Sequence, residues 1–111
     1  MMSNKLNPEE VQGVAFQIIL ESGDARTIVH EAFGLMRASK FEEADAKLLE
    51  ANEAIVRAHG SQTELLQKFA SGASFEIDIL MVHSQDHLMT TMTLREVALE
   101  MLHLYKKVEL S

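Results

Sequence analysis

The chain has 111 residues, a hydrophobic content of 47% and a formal net charge of −7 at pH 7, which suit one globular domain spanning residues 1–111. The negative charge disfavours sequence-independent binding to nucleic acid or to anionic membranes, because their phosphates would repel the chain. Without cysteine the chain has neither disulfides nor thiolate metal sites, and without an apolar run of about 20 residues we expect no membrane insertion and a cytoplasmic location.

The spacing of apolar residues predicts an all-α fold, an antiparallel three-helix bundle. One proline and five glycines are too few turn formers for a sheet, and apolar residues recur every three or four positions. The first helix is expected over roughly residues 8–38, with Asn7 as its cap, Pro8 in the first helical position and Glu10 completing a capping box. Gly23 weakens this helix without ending it.

The second and third helices are expected over roughly residues 40–70 and 75–107. A capping box that pairs Ser39 with Glu42 opens the second helix. Its apolar phase continues through Gly60 unchanged, which favours one continuous helix. Ser74 is the expected cap of the third helix, and Asp78 lies near the positive end of its dipole.

The third helix carries apolar residues on two faces, and Arg95 is the main polar interruption of the second face. A three-helix bundle of this size can bury only one face, so the other is expected to meet a neighbouring subunit in a homo-oligomer. The first face holds Ile79, Leu80, Leu94, Val97, Met101 and Tyr105, and the second holds Ile77, Met81, Met92, Leu88, Leu99 and Leu102.

A polar cluster in the stretch 81-MVHSQDHLMTT-91 interrupts the first of these faces. It consists of His83, Asp86, His87 and Thr90, which share one stripe of the helix. Buried polar groups without partners cost about 1–3 kcal/mol each, so such a cluster indicates a functional site. The same pattern is also compatible with a non-catalytic interaction module, because polar residues in a helical seam can fix oligomer state and register.

Two chemistries fit the cluster. His83 and His87, four residues apart with Asp86 between them, could ligate zinc, although Ser84 stands where the H-E-x-x-H motif requires glutamate. Alternatively, an imidazole in a largely apolar pocket can attack a phosphoryl group, while His87 and nearby hydroxyls donate to the phosphate oxygens. Spacing alone leaves both possibilities open. The remaining histidines are expected at surface or packing positions: His30, His59 and His103.

A family resemblance distinguishes between these chemistries. The run V-H-S-Q-D-H-L-M-T-T, together with G-D-A-R at 23–26 and A-H-G-S-Q-T at 58–63, resembles the lactose/cellobiose-type enzyme IIA of the bacterial phosphoenolpyruvate-dependent sugar phosphotransferase system. The resemblance covers essentially the whole chain. It implies a homotrimer, a nine-helix bundle, that accepts a phosphoryl group from the histidine phosphocarrier protein and passes it to the IIB component for disaccharide uptake.

The resemblance also assigns roles to individual residues. It implies that His83 carries the phosphoryl group and that His87 lies beside it and assists. Asp86 is expected at the centre of the trimer, where three copies would hold one Mg²⁺ on the three-fold axis. Gln62, a polar break in the apolar seam of the second helix, is a candidate supporting residue, with a core amide bonded to backbone as the alternative. The transported disaccharide cannot be read from this chain, because the membrane component selects it.

Overall fold

The computed structural model describes residues 5–111 and consists of three long helices: α1 (Pro8–Arg37), α2 (Phe41–Ala70) and α3 (Ile79–Leu110). Consecutive helices run antiparallel, and each packs against the other two. The prediction of an all-α three-helix bundle is confirmed. No helix in the part of the chain described here is apolar enough over a sufficient length to cross a membrane.

The first helix begins at Pro8 with Asn7 as its cap, as predicted, but the cap bond goes to Glu9 and no bond of Glu10 in the described residues completes a capping box. The Asn7 side chain accepts a hydrogen bond of 2.8 Å from the amide nitrogen of Glu9, which satisfies one of the free amides at the helix start.

Gly23 and Gly60 do not break their helices, since each lies inside a continuous helix of 30 residues. Both helices have buried core residues before and after the glycine, so packing outweighs the low helix propensity of glycine.

The predicted capping box at the start of α2 is wrong. Ser39 adopts a φ of 60° in the turn that closes α1, where the amide of Lys40 donates to the carbonyl oxygen of Leu35 over 2.9 Å. The Ser39 hydroxyl instead donates to the carboxylate of Glu109 over 3.2 Å. Lys40 occupies the cap position of α2 without a side-chain bond, so the helix begins with Phe41 and no capping box.

The third helix begins later than predicted, and Ser74 is not its cap. The carbonyl oxygen of Ser74 accepts a hydrogen bond of 2.6 Å from the amide of Leu6, which keeps the connection between α2 and α3 extended. Asp78 is the cap, and its carboxylate accepts from the amide of Met81 over 2.9 Å. This hydrogen bond joins Ser74 to the amino-terminal segment, which is distant in sequence. Local capping signals could therefore not reveal that α3 begins only at Ile79.

Only one apolar face of α3 is covered within a single chain. Met81, Leu88 and Leu102 of the predicted second face are buried. The predicted first face divides: Leu80, Leu94, Met101 and Tyr105 are half-buried at the edge of the core, whereas Ile79 and Val97 are exposed. The side of α3 opposite the core forms an exposed apolar surface, the α3 stripe, with exposed fractions from 49% at Met89 to 82% at Ile79. Its members are Ile79, Val82, Met89, Val97, Leu104 and Val108.

Candidate functional site

The polar cluster lies at the border between the α3 stripe and the core. His83, Asp86 and Thr90 are exposed, and His87 is half-buried. The sequence pattern predicts that all four residues interrupt a covered apolar seam. Within one chain α1 and α2 cover only the opposite side of α3, so three of the four side chains are accessible to a partner.

The two histidines of the cluster form a pair of perpendicular rings. The ring centroids of His83 and His87 are 5.7 Å apart, with an angle of 90° between the planes, as expected for side chains one helical turn apart. The α1 backbone lies against the inner ring, since a Cβ built on Gly23 would be 4.0 Å from Cε1 of His87. The accessible imidazole therefore belongs to His83, and the imidazole fixed by the scaffold belongs to His87.

The hydroxyl groups near the histidines bond mainly to their own helix. Ser84 is fully buried and donates to the carbonyl oxygen of Met81 over 2.7 Å, so it cannot contact a phosphate at the surface. Thr90 donates to the carbonyl oxygen of Asp86 over 2.8 Å. Because Thr90 is exposed, its hydroxyl can exchange that acceptor for a ligand oxygen. Of the two hydroxyls, only Thr90 suits the role that the sequence predicted.

A pair of glutamines links α2 to α3, and Gln85 belongs to the same stretch of α3 as the histidines but to another face of the helix. The amide nitrogen of Gln62 donates to the side-chain oxygen of Gln85, and the amide nitrogen of Gln85 lies 3.3 Å from the hydroxyl of Ser84 and 3.4 Å from the sulfur of Met81. Gln62 was a candidate supporting residue on the sequence alone, whereas Gln85 was not predicted. The signal for Gln85 was its place inside the polar stretch, two residues after His83, whereas its partner on another helix could not be read from spacing.

Asp86 presents a carboxylate from within the apolar α3 stripe. Its side chain is exposed, and it forms none of the ion pairs found among residues 5–111. In this described range of a single chain, no three His, Asp or Glu side chains converge as a metal site would require. His30, His59 and His103 are exposed. Any metal bound by Asp86 would need ligands from further chains or from water.

Comparisons with known proteins match the region that contains the cluster to one protein family. A family model described as "PTS system, Lactose/Cellobiose specific IIA subunit" matches residues 13–106. The lichenan-specific phosphotransferase enzyme IIA component of Bacillus subtilis is 44% identical over 100 residues, which cover 90% of this chain and 91% of that protein. The crystal structure of PtcA from S. mutans is 61% identical and superposes with a TM-score of 0.90, covering 91% of this chain and 99% of that one.

A further similar structure was solved together with a partner protein. The IIA(Chitobiose) component of Escherichia coli, in its complex with HPr, is 29% identical and has a TM-score of 0.76, covering 89% of this chain and 96% of that one. The range matched by the family model contains all of α2, most of α1 and α3, and the residues from His83 to Thr90.

Proposed function

Since the chain belongs to the lactose/cellobiose-specific IIA subunits of the sugar phosphotransferase system, we propose that it relays a phosphoryl group on His83. The observation that carries the proposal is the His83 imidazole, which is exposed on α3 and has a second imidazole 5.7 Å away. A phosphoryl donor that is itself a protein can reach an exposed nitrogen but not a buried one. His87, half-buried against α1, is the less accessible of the two.

The proposed relay consists of two transfers with the same chemistry. A ring nitrogen of His83 attacks the phosphorus of the phosphohistidine on the donor, and the new P–N bond forms as the P–N bond to the donor imidazole breaks. In the second transfer a nucleophilic side-chain atom of the acceptor attacks the phosphorus, and the new bond to that atom forms as the P–N bond to His83 breaks. The protein contributes chiefly by positioning the groups and stabilising charge.

The partners are the histidine phosphocarrier protein as donor and the IIB component as acceptor, for the uptake of a disaccharide. The solved complex of the E. coli relative with HPr supports the donor. The IIB component follows from the place of IIA subunits in the relay, which operates on the cytoplasmic side of the membrane.

His87 serves as the assisting residue in this proposal. It lies one turn from His83 with its ring perpendicular to that of His83, and half-burial near Gly23 of α1 restricts its side chain. A restrained imidazole can donate a hydrogen bond to a phosphate oxygen without losing much side-chain freedom. His87 therefore orients the phosphoryl group without carrying it.

The α3 stripe supports a homotrimer as the functional assembly. Its exposed residues recur at steps of three, four, seven or eight along the length of α3, a spacing that keeps them on one face and suits a helix seam that packs against copies of itself. An exposed apolar surface of this extent is uncommon on a monomer. His83 flanks the stripe, so in the trimer it would lie near a boundary between subunits.

Within that trimer we assign Asp86 as the ligand of one Mg²⁺ on the three-fold axis. Asp86 lies in line with Val82 and Val97 of the α3 stripe, so a three-fold assembly through this surface brings three carboxylates together. Like charges in a water-poor centre repel one another and need a cation or protons. Carboxylate oxygens suit Mg²⁺ better than zinc, which prefers nitrogen and sulfur. The exposed carboxylate, unpaired among residues 5–111, fits this role.

The proposed function is tested by phosphorylation of the purified protein. Incubation with phosphoenolpyruvate and the upstream phosphocarriers should add the mass of one phosphate per chain, in an acid-labile bond. Peptide mapping under alkaline conditions should then locate the phosphate on His83. Failure to take up phosphate from active phosphocarriers, or stoichiometric phosphate on another residue, would contradict the proposal.

A further inference from the structure

We propose that Thr91 is a positioning residue whose hydroxyl donates a hydrogen bond to Nδ1 of His87 and so keeps the ring proton of neutral His87 on Nε2. The inference rests on the proposed function where it concerns phosphoryl transfer, because His87 assists there. The hydrogen bond itself concerns the unphosphorylated chain, so it can be tested separately.

Two buried polar atoms carry this inference. Among residues 5–111, Nδ1 of His87 and Oγ1 of Thr91 are the buried side-chain nitrogen and oxygen atoms without a hydrogen-bond partner. Thr91 is fully buried, at 0% exposure. The two residues are four positions apart on α3, so their side chains lie on the same face one turn apart. Buried polar groups are almost always paired, and the four-residue spacing makes each of these atoms a candidate partner for the other.

The two exposed threonines of α3 make a hydrogen bond that the buried Thr91 does not make. Thr90 donates to the carbonyl oxygen of Asp86 over 2.8 Å, and Thr93 donates to that of Met89 over 3.1 Å. This bond to the carbonyl four residues back is the usual one for a helical threonine. Thr91 lacks this bond, and because its side chain is fully buried, its hydroxyl cannot bond to solvent in its place. Its hydroxyl therefore needs a different acceptor.

The direction of the bond follows from the inventory of donors and acceptors. A neutral imidazole has one nitrogen that donates and one that accepts, whereas a hydroxyl can do both. If the hydroxyl donates to Nδ1, one bond satisfies both buried atoms. If Nδ1 donated instead, the hydroxyl hydrogen would remain without an acceptor in the core, at a cost in free energy. The first arrangement is favoured. Because neither atom has a partner in the structure, the bond forms after a small rotation of the side chains or through one buried water.

The consequence for the site is that the other ring nitrogen of His87, Nε2, carries the proton. The hydrogen bond made by one nitrogen of an imidazole determines which nitrogen carries the proton. With Nδ1 as the acceptor, Nε2 of His87 is a permanent donor, which is the form needed to contact a phosphate oxygen on His83. Thr91 therefore acts through His87, as a buried residue that selects its tautomer.

The test compares Thr91→Val with Thr91→Ser by nitrogen NMR of the unphosphorylated full-length protein. At a pH well above the ordinary imidazole pKa of about 6.5, we expect Nδ1 of wild-type His87 to resonate as an unprotonated, hydrogen-bonded nitrogen. Thr91→Val should move this resonance toward that of a nitrogen without a donor, and Thr91→Ser should retain the wild-type shift. Ser22→Ala is the matched control, because the buried Ser22 hydroxyl donates to the carbonyl oxygen of Ile18 and its loss should leave His87 unchanged.

Three outcomes would overturn the inference: a proton on Nδ1 in the wild type, identical His87 shifts in the wild type and Thr91→Val, or the same change with Ser22→Ala. The direction in which the melting temperature changes is an independent test. Thr91→Val should lower the melting temperature, because it leaves Nδ1 buried without a donor, whereas removal of a hydroxyl that had no partner would raise it. Either sign is informative as long as the variant folds, and Thr91→Ser provides a folded reference.

Phosphoryl transfer completes the test and separates the two proposals. Thr91→Val should slow transfer through His83 several-fold, less than His87→Ala does, and Thr91→Ser should restore the rate. If the NMR result holds but no phosphate reaches His83, the proposed function fails and the hydrogen bond stands. If His83 is phosphorylated but the nitrogen shifts of His87 do not change in Thr91→Val, the function stands and this inference fails.

Discussion

Arg95 on α3 donates a hydrogen bond of 2.7 Å from Nε to the carbonyl oxygen of Leu48, a fully buried residue in α2. The arginine was recognisable in the sequence as the polar interruption of an apolar face, and the structure gives its partner. A guanidinium bonded to a buried carbonyl fixes the rotation of α3 about its own axis. The bond therefore helps to decide which face of α3 joins the core and which face remains exposed with His83.

Loss of this link should lower stability measurably. Arg95→Met keeps much of the aliphatic length but removes the charged donor, so we expect the free energy of unfolding to fall by about 1–3 kcal/mol. Urea titration followed by circular dichroism measures the change. Arg26→Met, at an exposed position on α1, removes the same charge and should change the free energy of unfolding by less than about 0.5 kcal/mol. Equal losses for both variants would contradict the role of the hydrogen bond.

The helices were predictable because their determinants are local. Apolar residues that face the core recur every three or four positions along each helix, and Asn7 and Pro8 mark the start of α1. The failures at Ser39 and Ser74 have non-local causes. Ser39 takes a left-handed conformation to close α1 and bonds to Glu109, and the carbonyl of Ser74 is held by the amide of Leu6. Such contacts between distant parts of the chain leave no periodic signal.

The candidate site was predictable in composition but not in exposure. Four-residue spacing was sufficient to bring His83 and His87 together on one helix. The depth of each side chain depends on how α1 lies against α3, which the spacing within α3 does not record. For the same reason Gln85 was missed, since its importance comes from Gln62 on α2.

Replacement of His83 should abolish phosphorylation without unfolding the chain. Because His83 is exposed and forms no buried contact with the core, His83→Ala should keep the helical circular dichroism spectrum and change stability by less than about 0.5 kcal/mol. Mass spectrometry after incubation with the phosphocarriers should show no phosphate. His103→Ala removes another exposed histidine from the same helix and should be labelled as fully as the wild type. Stoichiometric phosphate on His83→Ala would move the site, with His87 as the next candidate.

Substitutions of His87 separate hydrogen bonding from simple packing. If His87 donates to the phosphoryl group, His87→Gln retains a donor and should transfer phosphate faster than His87→Ala. Rapid-quench measurement of the transfer rate distinguishes them, and the final stoichiometry of one phosphate per chain should be unchanged in both. Equal rates for the two variants would argue against a hydrogen-bonding role.

A charge placed on the α3 stripe should dissociate the proposed trimer. Val97 is 50% exposed in the single chain, and Val97→Glu would bring three carboxylates into an apolar interface, where burial of each charge costs several kcal/mol. Sedimentation velocity should show a shift from trimer to monomer. Val56 is similarly exposed, at 59%, but lies on α2, so Val56→Glu should leave the trimer intact. A trimer unaffected by Val97→Glu would place the interface on another surface.

Asp86 provides the test of the metal on the proposed axis. Mg²⁺ bound by the folded trimer should raise the wild-type melting temperature, and a chelator should lower it, because a ligand stabilises the state that binds it. Asp86→Leu replaces three repelling carboxylates with apolar side chains like those around them, so the trimer should persist, lose its response to Mg²⁺ and melt at a higher temperature than the chelated wild type. Asp45→Leu, at an exposed position on α2, should keep the response. The metal site would be refuted if neither Mg²⁺ nor chelator changed the wild-type melting temperature at neutral pH. A trimer structure in which the three carboxylates point away from the axis would refute it as well.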